Sequence, residues 1–189
     1  MKEENINDKI EQFKNTYYRN HTKHLFFKKQ QKNDCANSIS QNIDLQELLP
    51  HTFVIHPTQN IITFKYPIFK TYASNENIEV VIKYFLKILT DVITNRNSFA
   101  MVIDMSTYTI SAHERYKHWY TYFFNLCNDN NIQFSDKLDY LHCYNTPTVV
   151  SNLQTFFNSF IDSRAQHKIS LFNKKESVGE IENILQIMT

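Results

Sequence analysis

Glycine is nearly absent: Gly179 is the only one in 189 residues. A phosphate-cradling loop, a dinucleotide fingerprint and a nucleophile elbow each need several glycines, for close backbone approach or strained turns. All three are excluded. Cysteine is sparse too. Cys35, Cys127 and Cys143 lack metal-ligand spacing and read as reduced thiols of an intracellular protein. No apolar run reaches the roughly 18 residues of a transmembrane span, and the charged N-terminus is no signal peptide. Neither sign of charge dominates, since the net charge is +1, so nothing global points to nucleic acid. A soluble, cytoplasmic chain with no nucleic-acid partner is expected.

What is present is greasy. Apolar residues make up 42% of the chain and aromatic ones 14%, ample for a packed core. The length predicts one domain with an appended segment. Residues 1–42 form that segment, a helical or flexible basic arm. Ile6, Ile10, Phe13 and Tyr17 fall at helical spacing, and between Lys14 and Lys32 there are six basic residues and no acid. Arg19, Lys23, Lys28 and Lys29 surround Phe26 and Phe27 there, a combination suited to an anionic membrane surface. The alternative is a solvated helix end that packs its Phe pair on the main domain. Asn33 to Gln41 reads as a polar linker, and Leu45 to Leu49 as a helical turn stopped by Pro50.

From residue 43 onward the pattern is α/β. Thr52 to Ile55 and Ile61 to Tyr66 flank Pro57 to Asn60 as a hairpin. Glu76 to Asn95 is a one-faced helix, and Ser98 to Met105 an uninterrupted apolar strand of the kind covered on both sides. His113 to Asn128 is a helix with Tyr116, Trp119, Tyr120 and Phe123 on one face. Leu138 to Tyr144 is a strand closed by Asn145 and Pro147. Next comes an amphipathic helix: Val149, Val150, Leu153, Phe156, Phe157, Phe160 and Ile161 share one face, opposite uncharged polar residues. A strand over Lys168 to Phe172 and a helix over Val178 to Met188 finish the order. This predicts a mostly parallel five-stranded sheet flanked by helices.

These residues resemble the CRAL-TRIO lipid-binding domain, the module of phosphatidylinositol-, tocopherol- and retinaldehyde-transfer proteins. Val102-Ile-Asp-Met105 is similar to the family's strand-ending Ile-x-Asp-Leu. Phe134-Ser-Asp-Lys-Leu138 stands where the family has Tyr-Pro-Glu-Arg-Leu, Asn145-Thr-Pro147 for Asn-Ala-Pro, and His167-Lys-Ile169 for Ser-Lys-Ile. The likeness runs from about residue 50 to 188. It implies that Val150, Leu153, Phe156, Phe157 and Phe160 form a gate over a hydrophobic pocket, with Met101, Ile103, Trp119 and Phe123 on its walls. It implies that Asp136 and Lys168 lie near an inositol-phosphate headgroup. Choline recognition is not expected, because Phe99 and Met101 occupy the mid-domain strand. The partner so implied is a lipid, with peripheral membrane contact through the arm. The rival is a protein-binding scaffold with a filled pocket.

Chemistry is otherwise thin. His142 and Cys143 are neighbours on a strand and face opposite sides. His113 and His118 diverge on their helix, and His21 and His24 lack a third ligand. Asp104 reads as a turn acceptor. Neither catalysis, a metal nor a cofactor is expected, the resemblance implying only a bound lipid.

Overall fold

A computed structural model describes residues 5–21, 28–129, 134–147 and 163–186. The chain opens with α1 (Ile6–Asn20), α2 (Lys28–Asn42) and α3 (Leu45–Thr52), then the hairpin β1 (Phe53–Ile55) and β2 (Ile61–Lys65). There follow α4 (Tyr66–Tyr72), α5 (Ile78–Arg96), β3 (Phe99–Asp104), α6 (Ile110–Asp129) and β4 (Leu138–Thr146). The described chain closes with α7 (Ser163–Gln166), β5 (Ile169–Asn173) and α8 (Glu180–Gln186). The five strands lie in sequence order; β1 is antiparallel to β2, and β2 to β5 are parallel. The architecture is the mostly parallel α/β sheet that the strand and helix periodicities predict.

Register decides what each face carries. Ile62 opposes Met101, which opposes Leu141, which opposes Ile169; one step along, Phe64, Ile103, Cys143 and Leu171 align. Every residue in these two rows is apolar, and they share a core with α4, α5 and α6. The α5 helix contributes Val81, Ile82, Phe85, Ile88, Leu89 and Val92 to it. The other face aligns Thr63, Val102, His142 and Ser170. There Val102 and Tyr144 pack with Ile181 of α8 in a smaller cluster. So the larger hydrophobic layer covers one face only.

With almost no glycine, asparagine takes two of the four left-handed positions among the described residues, Thr107 and Gly179 the others. Asn97 (φ 64°) ends α5, its N–H donating to the Ile93 carbonyl at 2.8 Å, the role glycine usually plays there. Asn145 (φ 56°) sits inside β4, where the β4–β5 register shifts between Cys143 and Thr146. Its backbone N–H donates to Ser177 Oγ at 2.8 Å and its amide to Asp104 Oδ1 at 3.0 Å. β4 therefore runs two residues past its predicted end at Tyr144, because these bonds hold a bulge rather than a strand end. Asp104 also accepts from the Ser106 N–H at 2.9 Å, which makes it the turn acceptor expected.

Two local readings need correction. The Asn33–Gln41 stretch is not a linker: it belongs to α2. Its apolar stripe is only Cys35, Ala36 and Ile39, all buried, too thin to stand out among polar neighbours. Pro50 does not stop α3, which continues to Thr52. In so short a helix its missing N–H costs a single bond, that to the exposed Gln46. The next turn is closed by Thr52 Oγ1 donating to the Leu48 carbonyl at 3.0 Å. Ile6 and Ile10 of α1, with Cys35 and Ile39 of α2, join the main core. The Lys9–Glu47 ion pair at 2.5 Å ties α1 to α3.

Candidate functional site: an apolar cavity on the sheet

Between the apolar sheet face and the helices lies a cavity of about 180 Å3. Its floor is Phe64 of β2, Met101 and Ile103 of β3 and Leu141 of β4, alternate residues that the pleat turns to one side. The α5 wall is Val81, Ile82 and Phe85; the α6 wall is Tyr116, Trp119, Tyr120, Phe123 and Phe124. Tyr66 and Phe69 of α4 and Met105 and Tyr108 of the β3–α6 connection complete the described lining with Phe53. No charged side chain is among them. A cavity of roughly 150 Å3 lined by such residues stays dry and takes up benzene, while sites burying a drug-sized ligand span about 300–1,000 Å3. This space therefore suits one apolar ring or the end of one chain.

Aromatic packing fixes the walls. The Phe69 ring lies 5.0 Å from both Tyr116 and Trp119 and 5.2 Å from Phe64. Phe85 stacks on Phe53 at 4.9 Å and meets Phe123 at 5.5 Å. Three of the four lining tyrosines bond their hydroxyls to protein partners. Tyr108 and Tyr120 bond each other at 2.9 Å, and Tyr116 donates to the Lys70 carbonyl at 3.4 Å. Trp119 is 3% exposed, and its buried indole N–H has no acceptor among the described residues, a cost of about 1–3 kcal/mol.

This burial has a pH consequence. Tyr66 is pushed up to about 12, and Tyr72, Tyr108, Tyr116 and Tyr120 are raised above 10.0, burial being the first cause in each. The unfolded chain ionises these phenols near 10.0, whereas the folded chain does not. Their contribution to stability is complete below the unfolded value and is lost as pH climbs toward the folded one. The urea midpoint should fall steeply above about pH 10, with these five phenolates absorbing only as the chain unfolds. Their ionisation in a chain that stays folded would show that the hydroxyls reach water.

The predicted site residues divide in three. Met101, Ile103, Trp119 and Phe123 all line the cavity. Val150, Leu153, Phe156, Phe157 and Phe160 lie outside the described residues. Asp136 and Lys168 stand at the start of β4 and β5, where the exposed Asp136 falls between two carbonyls that Lys168 binds. The Lys168 ammonium donates to Ser135 O at 3.2 Å and to Leu138 O at 2.6 Å. In the arm, Arg19 and Lys29 are exposed, Lys23, Phe26 and Phe27 fall outside the described residues, and of Lys28 only the backbone is described. His21 stacks on Tyr17 at 4.2 Å and bonds its carbonyl.

Sequence reasoning missed Phe53, Phe64, Phe69, Val81, Phe85 and Leu141 as cavity residues. Their pattern says only that they are inside, and nothing in it marks which core positions border unfilled space. Cys143 faces the main core and His142 the other face, as their adjacency requires. Burial pushes the Cys143 thiol up to about 12, so it is no nucleophile at neutral pH. Among the described residues no three His, Cys, Asp or Glu side chains are grouped to hold a metal, and no helix is long and apolar enough to cross a membrane.

The family model of the CRAL/TRIO domain matches residues 58–186, from the β1–β2 turn to the end of α8. The chain belongs to the CRAL/TRIO domain family. Membership carries the general expectation of that module, a hydrophobic ligand held by a non-catalytic domain. The crystal structure of Sfh5 is similar, with a TM-score of 0.53 at 11% identity over 78% of this chain and 56% of that one. The CRAL/TRIO chain thus spans little more than half of that structure, and at this identity the likeness concerns the fold alone. No curated protein matches it.

Proposed function

We propose that this CRAL/TRIO domain binds, and transfers or presents, a phospholipid such as phosphatidylinositol, with an acyl chain entering between the sheet and the α4–α5–α6 layer. The observation that carries this is the unfilled apolar space over Met101, Ile103 and Leu141. A close-packed interior leaves few voids larger than a water, and filling one with hydrocarbon yields about 25 cal/mol per Å2 of apolar surface removed from water. The 149–161 segment is the gate in this reading. Its sequence sets Val150, Leu153, Phe156, Phe157 and Phe160 against an uncharged polar side, so it can move without breaking ion pairs. Gate motion also answers the size problem, since a two-chain lipid needs more room than the cavity now offers.

Asp136 and Lys168 form the headgroup end of this reading. Lys168 has one ammonium proton left after its two carbonyls and is a compact point charge for a phosphate. Lys168→Ala should weaken binding of phosphatidylinositol vesicles and should also destabilise the empty chain, by about 1.5–3 kcal/mol for charge-assisted bonds lost. Paired urea melts and vesicle sedimentation check this. Unchanged stability would mean the carbonyl bonds contribute nothing.

A second reading is favoured by the cavity's small volume: a scaffold with a vestigial pocket that binds a protein. Native mass spectrometry separates the two. Chain purified from a lipid-rich host, then incubated with phosphatidylinositol vesicles, should carry lipid-sized adducts removed by solvent extraction. A bare chain in both samples supports the scaffold.

A further inference from the structure

The carboxyl ends of β2 and β3 each lead the chain into a tyrosine of the cavity wall. Tyr66 follows Lys65 at the start of α4, and Tyr108 stands four residues past the end of β3. Their rings meet edge to face at 4.8 Å. The Tyr108 hydroxyl lies 2.9 Å from that of Tyr120 on α6 and 3.3 Å from His113 Nδ1. All three tyrosines line the cavity. Lys168 stands before the start of β5, at the opposite end of the parallel strands.

Tyr66 is the exception among the four lining tyrosines. It is 5% exposed, yet its hydroxyl has no hydrogen-bond partner among the described residues. A buried hydroxyl left unbonded is costly, and the empty space beside Tyr66 is the cavity. Tyr108 has capacity to spare as well: a phenol oxygen can donate one bond and accept two, and two of the three are used. Burial raises the Tyr66, Tyr108 and Tyr120 phenols, so each stays protonated and uncharged at neutral pH. Among the described residues no cation lines the cavity. Lys70, whose ammonium lies 5.9 Å from the Tyr66 ring centre, donates to the Thr107 hydroxyl at 2.5 Å.

We propose that Tyr66, Tyr108 and Tyr120 seat the hydroxyl of an aliphatic alcohol whose chain lies over Met101 and Ile103. A hydroxyl both donates and accepts, so it serves Tyr66 and Tyr108 whichever way the protons between Tyr108, Tyr120 and His113 run. A carboxylate would be buried without a cation, and an alkane would leave Tyr66 unbonded. The inference rests on the reading that the cavity admits hydrocarbon, but not on a phosphatidylinositol headgroup near Lys168.

The test compares n-hexanol, heptane and hexanoate on the full chain at neutral pH, by the rise in melting temperature each produces as it binds the folded state. Heptane has a methyl where hexanol has its hydroxyl, so the two differ at the head alone. Both should bind, and hexanoate should bind at least roughly tenfold more weakly than hexanol. Tyr66→Phe should weaken hexanol about fivefold, the value of one hydrogen bond, and leave heptane unchanged. It keeps the ring and deletes a hydroxyl that bonds no described residue, so the empty variant should melt no lower than the wild type. Tyr84→Phe, in α5 but outside the cavity lining, should alter neither ligand. Hexanol held equally by wild type and Tyr66→Phe, an equal loss for heptane, or hexanoate bound as tightly as hexanol would overturn the alcohol seat, while heptane binding preserves the cavity reading. Binding of neither hexanol nor heptane would overturn both.

Discussion

Phe69→Ala should lower the unfolding free energy by about 3–5 kcal/mol, the range for deleting a buried phenyl ring. Phe69 is 7% exposed, and its ring meets those of Phe64, Tyr66, Tyr72, Tyr116 and Trp119. It joins α4 to the sheet and to α6 at once, so neighbours on three elements lose contacts together and none can relax alone. The measurement is a urea titration: the midpoint should drop by roughly 2 M with little change in slope. Since Phe69 also lines the cavity, its removal enlarges the hollow. A small apolar ligand such as benzene should then restore part of the loss by binding the folded state. A loss below about 1 kcal/mol would mean the site collapses freely, against the rigid wall described above.

The second large effect is on binding. Val81→Phe should abolish lipid uptake while leaving stability close to that of the wild type. Val81 is 1% exposed and faces the cavity from α5, so the added ring enters space the protein leaves empty. If the space were already filled, overpacking would cost about 1–3 kcal/mol. Thermal melts and lipid-adduct mass spectrometry on the same sample give both answers. A variant that binds lipid normally would place the ligand elsewhere, and a strongly destabilised one would show there is no hollow beside Val81.

Much of this fold can be read from the chain because its signals are one-dimensional. The run from Ser98 to Met105 contains β3, and the spacing of Val81, Ile82, Phe85, Ile88, Leu89 and Val92 marks α5. Each pattern is long enough to outweigh its neighbours. α2 escaped because its buried stripe is narrow, and the bulge at Asn145 because it depends on Asp104 and Ser177, residues 41 and 32 positions away. The site was legible in part for a related reason. Met101, Ile103, Trp119 and Phe123 carry the pattern of interior residues, and the CRAL/TRIO likeness, not periodicity, turned interior into pocket. That Lys168 binds the Ser135 and Leu138 carbonyls could not be foreseen, since a backbone carbonyl has no sequence signature.

The most direct test uses Trp119, the only tryptophan in the chain and part of the cavity wall. Fluorescence is recorded as the protein is mixed with phospholipid vesicles whose acyl chains are brominated, bromine quenching an indole only at close contact. A chain that takes hydrocarbon into the space above Met101 and Leu141 will lose Trp119 emission with brominated lipid and keep it with the unbrominated form. Emission unaltered by either lipid, in a protein that nonetheless sediments with the vesicles, would contradict uptake into the cavity.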